Sequence, residues 1–124
     1  MIVVDRSVGR GRGVFAAQPI PAGTLIEEGP VIVLPAHEIE YLEHTALGDY
    51  YFLWGADERS GAILLGVCSL CNHSYEPNAV FETRLDTGTI RFVALRDIPA
   101  GEEITTNYHG DPASREPVWF DVRE

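Results

Sequence analysis

The sequence predicts a mainly β domain with one short helix, and three observations carry that expectation. Glycine and proline punctuate the chain densely, at 12 and 8 residues. The apolar runs between them are short, and apolar residues recur at helical spacing in one place. A length of 124 residues suits a single domain over 1–124, enough for one core and too little for two.

Taken in chain order, strands are expected at Ile2 to Asp5, Gly13 to Ala17, Thr24 to Glu28 and Val31 to Leu34. After Pro35, which suits a first helical turn, Ile39, Leu42 and Ala46 follow at spacings of three and four, and Gly48 is placed to end the helix. Further strands are expected at Ala62 to Val67, Ala79 to Leu85, Thr89 to Leu95 and Glu103 to Asn107. Asp86-Thr87-Gly88 lies between two of these and reads as a tight hairpin turn, with Gly supplying a positive φ. Residues 15–26 and 92–104 echo one another, each placing Pro-Ala-Gly between β-type segments. The echo is either two related strand-turn-strand units or one common turn used twice.

Composition narrows the classes. Glycine has no three-residue period, cysteine occurs twice and the apolar fraction is 45%, against collagenous, disulfide-stapled and disordered chains alike. No run approaches the 18 or so apolar residues of a membrane span, and the first residues do not read as a signal peptide, so a soluble, intracellular protein without a membrane partner is expected. Nine basic residues, all arginine, stand against 19 carboxylates, and a phosphate backbone would meet a repulsive field; no direct nucleic-acid binding is expected. Between Glu27 and Glu58 there are eight carboxylates and no Lys or Arg. Such a block either steers cationic partners, such as a Lys/Arg-rich peptide, or simply keeps the surface solvated.

Several segments could carry chemistry. Gly9-Arg10-Gly11-Arg12-Gly13 lets the backbone approach a ligand closely, or makes a tight entry turn; it is neither a Walker loop nor a dinucleotide fingerprint. The stretch Asn72-His73-Ser74-Tyr75-Glu76-Pro77-Asn78 combines amide and imidazole groups suited to a polar ligand with residues that fold back on their own backbone. Cys68 and Cys71 form C-x-x-C, which is half a zinc site, a redox pair, or two small buried hydrophobes; no metal site is expected. The aromatics at Tyr50, Tyr51, Phe52 and Trp54, then Tyr108, Trp119 and Phe120, suit a core rim or a narrow channel for an alkyl ammonium.

In this order the pieces resemble the SET domain of protein lysine methyltransferases. Gly11-Arg12-Gly13-Val14-Phe15-Ala16 is similar to the family's first Gly-x-Gly motif. Asn72-His73-Ser74 with Pro77-Asn78 is similar to its Asn-His-Ser-x-x-Pro-Asn motif, and Gly101-Glu102-Glu103-Ile104 through Tyr108 to the segment that ends in the catalytic tyrosine. The resemblance covers about residues 7–110, leaving 111–124 as a short flank.

The resemblance implies a β-clip of small sheets whose C-terminal segment forms a pseudoknot, an exception to the rule of unthreaded chains. It implies S-adenosylmethionine as methyl donor, held by the backbone of Gly11, Arg12 and Gly13, by Asn72 and by the His73 backbone near the adenine. The target lysine, on a basic protein such as a histone or histone-like tail, would enter from the opposite face through a channel lined by Tyr50 and Tyr108. Departures from the family pattern are informative. Tyr75 stands where many members carry a zinc-binding cysteine, and no cysteine follows Cys71. The tail Glu116 to Phe120 resembles zinc-free tails whose aromatic residue covers the adenine, with Trp119 the candidate. Thr106 occupies a position linked in the family to the number of methyls added. The short helical region leaves substrate selection to few residues or to a second subunit, as in a homodimer. The alternative to an enzyme is a binding module that kept the fold and lost catalysis.

Overall fold

The computed structural model describes all 124 residues, in two small sheets, one α-helix and connecting turns. Strands β1 (Ile2–Ser7) and β2 (Gly11–Ala16) form an antiparallel hairpin in register from Ile2↔Ala16 to Ser7↔Gly11. Strand β3 (Leu25–Leu34) is continuous where two strands were expected. Gly29-Pro30 does not break it but marks where it changes partners. Leu25 to Pro30 pair with one neighbour and Val31 to Leu34 with another. A Cβ on Gly29 would meet the Leu65 carbonyl oxygen at 2.9 Å, so glycine permits the close approach.

The helix α1 (Ala36–Leu42) starts after Pro35 as expected, but it ends at Leu42 rather than near Gly48. Thr45 is the reason. Its hydroxyl donates to the Leu42 carbonyl at 2.7 Å and accepts from the Leu47 N–H at 3.2 Å, capping a separate 3-10 turn over Ala46–Asp49. Next come β4 (Phe52–Trp54), a strand not expected from sequence, and β5 (Ser60–Leu64). Strand β5 ends at Leu64, short of the expected Val67, and Val67 instead opens a 3-10 turn over Val67–Leu70. The two-residue strand β6 (Asn72–His73) was also not anticipated; β7 (Ala79–Arg84), β8 (Thr89–Ala94) and β9 (Glu103–Thr106) lie where expected. The β7–β8 turn holds Gly88 at φ 68°, as its sequence required.

The larger sheet has the order β4-β5-β3-β8-β7 and the smaller β1-β2-β9-β6. The larger curls until its two outer strands meet: Phe52 on β4 and Phe81 on β7 pack edge to face with ring centroids 5.0 Å apart. Val14, Ile20, Ile90, Phe92, Ile98 and Ile104 are almost fully buried in one cluster. The sequence echo is a structural two-fold. Ile20 and Ile98 exchange both backbone hydrogen bonds at 2.8 Å. Around them the Gly23 N–H donates to the Ala94 carbonyl at 2.8 Å and the Gly101 N–H to the Ala16 carbonyl at 2.7 Å. Each Pro-Ala-Gly turn, closed by glycine at φ 82° or 86°, thus seals the strand of the other unit.

In the smaller sheet β6 runs parallel to β9, with Asn72 opposite Thr105 and His73 opposite Thr106. Asn78 clamps the same strand, donating to the Glu103 carbonyl at 2.8 Å and accepting from the Thr105 N–H at 2.9 Å. The tail returns over this segment. Glu124 accepts from the Ser74 hydroxyl at 2.6 Å and the Tyr75 N–H at 3.0 Å, and Tyr75 donates to the Glu116 carbonyl at 2.9 Å. Residues 72–78 are therefore held both by β9 and by the chain that follows it, the closure expected of the pseudoknot.

Candidate active site

The parallel β6–β9 pairing delivers Asn72 and His73 beside Tyr108, from 35 positions away. The Tyr108 backbone N–H donates to His73 Nδ1 at 3.0 Å, and the Tyr108 hydroxyl donates to the Cys71 carbonyl at 2.6 Å. Both ends of the tyrosine are thus anchored to one short segment. Burial, then the neighbouring Cys71 and Tyr50, push the Tyr108 phenol well above its usual value, so it is a protonated hydroxyl across the physiological range. Its hydrogen is committed to Cys71, which leaves the oxygen lone pairs free. The Trp119 ring stacks on Tyr108 at 5.9 Å between centroids, inclined by 27°.

Tyr50, Tyr108, Trp119, Thr106, Phe52 and Phe81 line one cavity of about 850 Å³. The same lining carries the carboxylates Glu43, Asp49, Glu58 and Glu82 and no arginine. Glu82 is paired with Arg91 at 3.4 Å, and Glu43 accepts from the Tyr51 hydroxyl at 2.8 Å. A cavity lined by both aromatic rings and carboxylates matches the chemistry of an alkyl ammonium.

Asn72 faces the glycine-rich strand. Its Nδ2 donates to the Arg12 carbonyl at 2.8 Å and to Glu103 Oε2 at 2.7 Å, while no hydrogen bond within the chain engages its Oδ1. Glu103 also accepts from the Ser7 hydroxyl at 2.7 Å and pairs with Arg10 at 3.1 Å. A Cβ on Gly13 would collide with the Glu103 carboxylate and come within 2.9 Å of Asn72 Nδ2, so glycine keeps this cradle open. Gly11, at φ 80°, has open space where a side chain would stand. The backbone approach and the free amide oxygen fit the methionine end of an S-adenosylmethionine molecule, which carries an ammonium group to donate.

The structure thus joins the expected residues in two groups: Gly13, Arg12 and Asn72 in one, and Tyr50, Tyr108 and Trp119 in the other, with His73 between them. Trp119 stands against Tyr108 at the cavity, 66% exposed. Glu103, Ser7 and Arg10 were not singled out, although the Gly-Glu-Glu segment and the glycine-arginine run contain two of them. Cys68 and Cys71 are buried free thiols; the Cys71 contact and burial push the Cys68 thiol far up. His73 is buried, and its Nε2 has no partner in the protein. Burial first, with His109 adding, holds its pKa below the ordinary value.

Comparison with known proteins gives the family of the chain. The SET domain family model matches residues 11–109, and the chain belongs to the SET-domain family. It is 35% identical over 113 residues to a Schizosaccharomyces pombe histone-lysine N-methyltransferase specific for H3 lysine-37, covering 90% of this chain and 71% of that protein. A Plasmodium falciparum variant-silencing SET domain-containing protein is also 35% identical, over 79% of this chain but only 4% of its own length. The crystal structure of a Plasmodium falciparum protein assigned as a histone methyltransferase superposes with a TM-score of 0.70 at 28% identity, covering 86% of this chain and 91% of that one. Chaetomium thermophilum Polycomb Repressive Complex 2 matches in fold, with a TM-score of 0.71 at 24% identity over 87% of this chain and 15% of that one.

Proposed function

We propose that the protein is an S-adenosylmethionine-dependent methyltransferase acting on a lysine side chain of a basic protein, with a histone tail as the first candidate. The observation that carries this reading is the Tyr108 hydroxyl, held at 2.6 Å from the Cys71 carbonyl in a cavity lined by aromatic rings and carboxylates. The relative specific for H3 lysine-37 supports histone H3 as a substrate. Bound S-adenosylmethionine supplies an electrophilic methyl group on a sulfonium.

The side chains of this protein align and polarise. Asn72 Oδ1 and the backbone at Arg12 and Gly13 would hold the methionine end of the donor, and the His73 backbone would serve its adenine end. Tyr50 and Tyr108 flank the lysine chain from the opposite face. Alignment of this kind lowers a displacement barrier without creating net charge. The Tyr108 oxygen and the Cys71 carbonyl present partial negative charge, fixed before reaction, to the centre where positive charge is transferred. Lysine must enter neutral, and an aromatic, water-poor channel lowers its pKa from about 10.4. Tyr108 does not serve as the base, because its own proton is held too tightly.

The test is incubation with labelled methyl donor, recombinant histone H3 and a panel of basic lysine peptides, read by mass spectrometry. Methylation of lysine on H3 or a basic peptide is the expected result. Donor and peptide binding without turnover on any member would instead favour the binding module.

A further inference from the structure

We infer that Glu27 is a positioning residue for Tyr108, acting through the turn that carries the Cys71 carbonyl. The inference rests on the reading of Tyr108 as the catalytic group.

Among the carboxylates between residues 27 and 58, Glu27 does not behave as a surface charge. The pairing of β3 with β8 slips between Leu25 and Glu27, which leaves Ile26 as an extra residue and sets Glu27 opposite Phe92. Phe92 is 1% exposed, so the bulge turns a carboxylate toward the interior side of the sheet. Half-buried there, the carboxylate gains from hydrogen-bond donors. Glu27 takes them from the first turn of the 3-10 segment Val67–Leu70: Oε2 accepts the Val67 N–H at 3.1 Å and Oε1 the Cys68 N–H at 2.8 Å. The site is closely fitted, because a Cβ on Gly66 would lie 2.6 Å from Glu27 Oε1.

From there the path to the reacting centre is short. The Cys68 carbonyl accepts the Cys71 N–H at 3.2 Å, which closes the turn, and the Cys71 carbonyl accepts the Tyr108 hydroxyl. Glu27 fixes the entrance of this turn and the tyrosine reads its exit. Moving the turn would rotate the Cys71 carbonyl away from the hydroxyl and redirect the lone pairs that the hydroxyl presents to the methyl group. The donor contacts at Gly13 and Asn72 would stay as they are.

Four variants of the full chain test this: E27Q, G66A, Y108F and the double variant E27Q/Y108F. Gln offers one acceptor where two are used, and Ala at residue 66 displaces the carboxylate without changing charge. In methyl-transfer assays on recombinant H3 and the basic peptide panel, E27Q and G66A should each lower kcat, by up to about 100-fold, with donor KM unchanged. E27Q should cause no further loss in the Y108F background. Independently of turnover, tyrosine labelled with carbon-13 at Cζ should show a shift of the Tyr108 resonance in E27Q and G66A, with the other four tyrosines unmoved. Wild-type kcat in both single variants, an equal loss in the Y108F background, or an unmoved Tyr108 resonance would overturn the inference. If E27Q fails to fold, G66A carries the same comparison with its own Y108F double. Full activity of Y108F alone would remove the catalytic reading itself, a result separate from the behaviour of Glu27.

Discussion

His73 Nδ1 accepts the backbone N–H of Tyr108 at 3.0 Å, and through this bond the Asn72-His73 strand is tied to the backbone of Tyr108. Accepting at Nδ1 places the proton of the neutral ring on Nε2. The same imidazole packs edge to face on Tyr108 with centroids 5.2 Å apart. A shift in the Asn72-His73 strand is therefore transmitted directly to the backbone of the proposed catalytic residue.

Tyr108→Phe should retain the fold and donor affinity while turnover falls by about 100-fold or more, because one preorganised hydroxyl is removed and the ring is kept. Donor titration by calorimetry and a methyl-transfer assay separate the two effects. Retained turnover would move the catalytic role to another group.

Asn72→Ala should weaken donor binding by about 1–3 kcal/mol, since the donor's ammonium loses its acceptor. It also deprives Glu103 Oε2 of the Asn72 amide, so a small drop in thermal midpoint should accompany it. Unchanged donor affinity by calorimetry would contradict the contact.

Stability should decline as pH falls below the reference imidazole value. Burial, and then His109 and Arg10 against an opposing Glu124, lower the His73 pKa from 6.5, so folding favours the neutral ring. A depressed folded pKa gives a contribution that is complete above the unfolded value and lost as pH drops below it. Denaturant midpoints at pH 7.5 and 5.5 should differ in the wild type. The difference should shrink in His73→Gln, even though that variant is less stable at pH 7.5.

Association with a basic lysine peptide should weaken as salt rises. The cavity lining includes Glu43, Asp49, Glu58 and Glu82, and exposed charges are screened beyond a Debye length of about 10 Å at 0.1 M. Titration of a basic peptide between low and moderate salt, with an acidic lysine peptide alongside, measures this. Salt-independent binding, or equal methylation of the acidic peptide, would sink the prediction.

This chain has nine arginines and no lysine, so incubated alone with labelled donor it should remain unlabelled. Adding a lysine peptide should label the peptide only. Label mapped to arginine or histidine of the protein would show that the acceptor is not restricted to lysine.

Local structure was legible wherever near neighbours decide it. Short apolar runs between Gly and Pro placed β7, β8 and β9, Gly88 closed the β7–β8 hairpin, and Pro35 began α1. The three motifs, in order, were enough to name the family and its candidate residues. Contacts between distant segments were not legible. Strand β6 exists because β9 lies parallel to it, and two residues carry too little pattern to announce a strand. The early end of α1 followed from Thr45 choosing its own hydrogen bonds, a competition that apolar spacing does not register. Glu27 read as one charge in an acidic run, yet a bulge turned it to cap the turn beneath Cys71. The stack of Trp119 on Tyr108 and the meeting of Phe52 with Phe81 likewise needed a returning tail and a curled sheet. The sequence by itself determined which chemical groups the protein carries and where most of its strands lie, because propensity and turn sterics act over a few residues. Only the tertiary structure decided which groups face one another, because strand partners and bulges are chosen by burial and hydrogen-bond satisfaction summed over the whole chain.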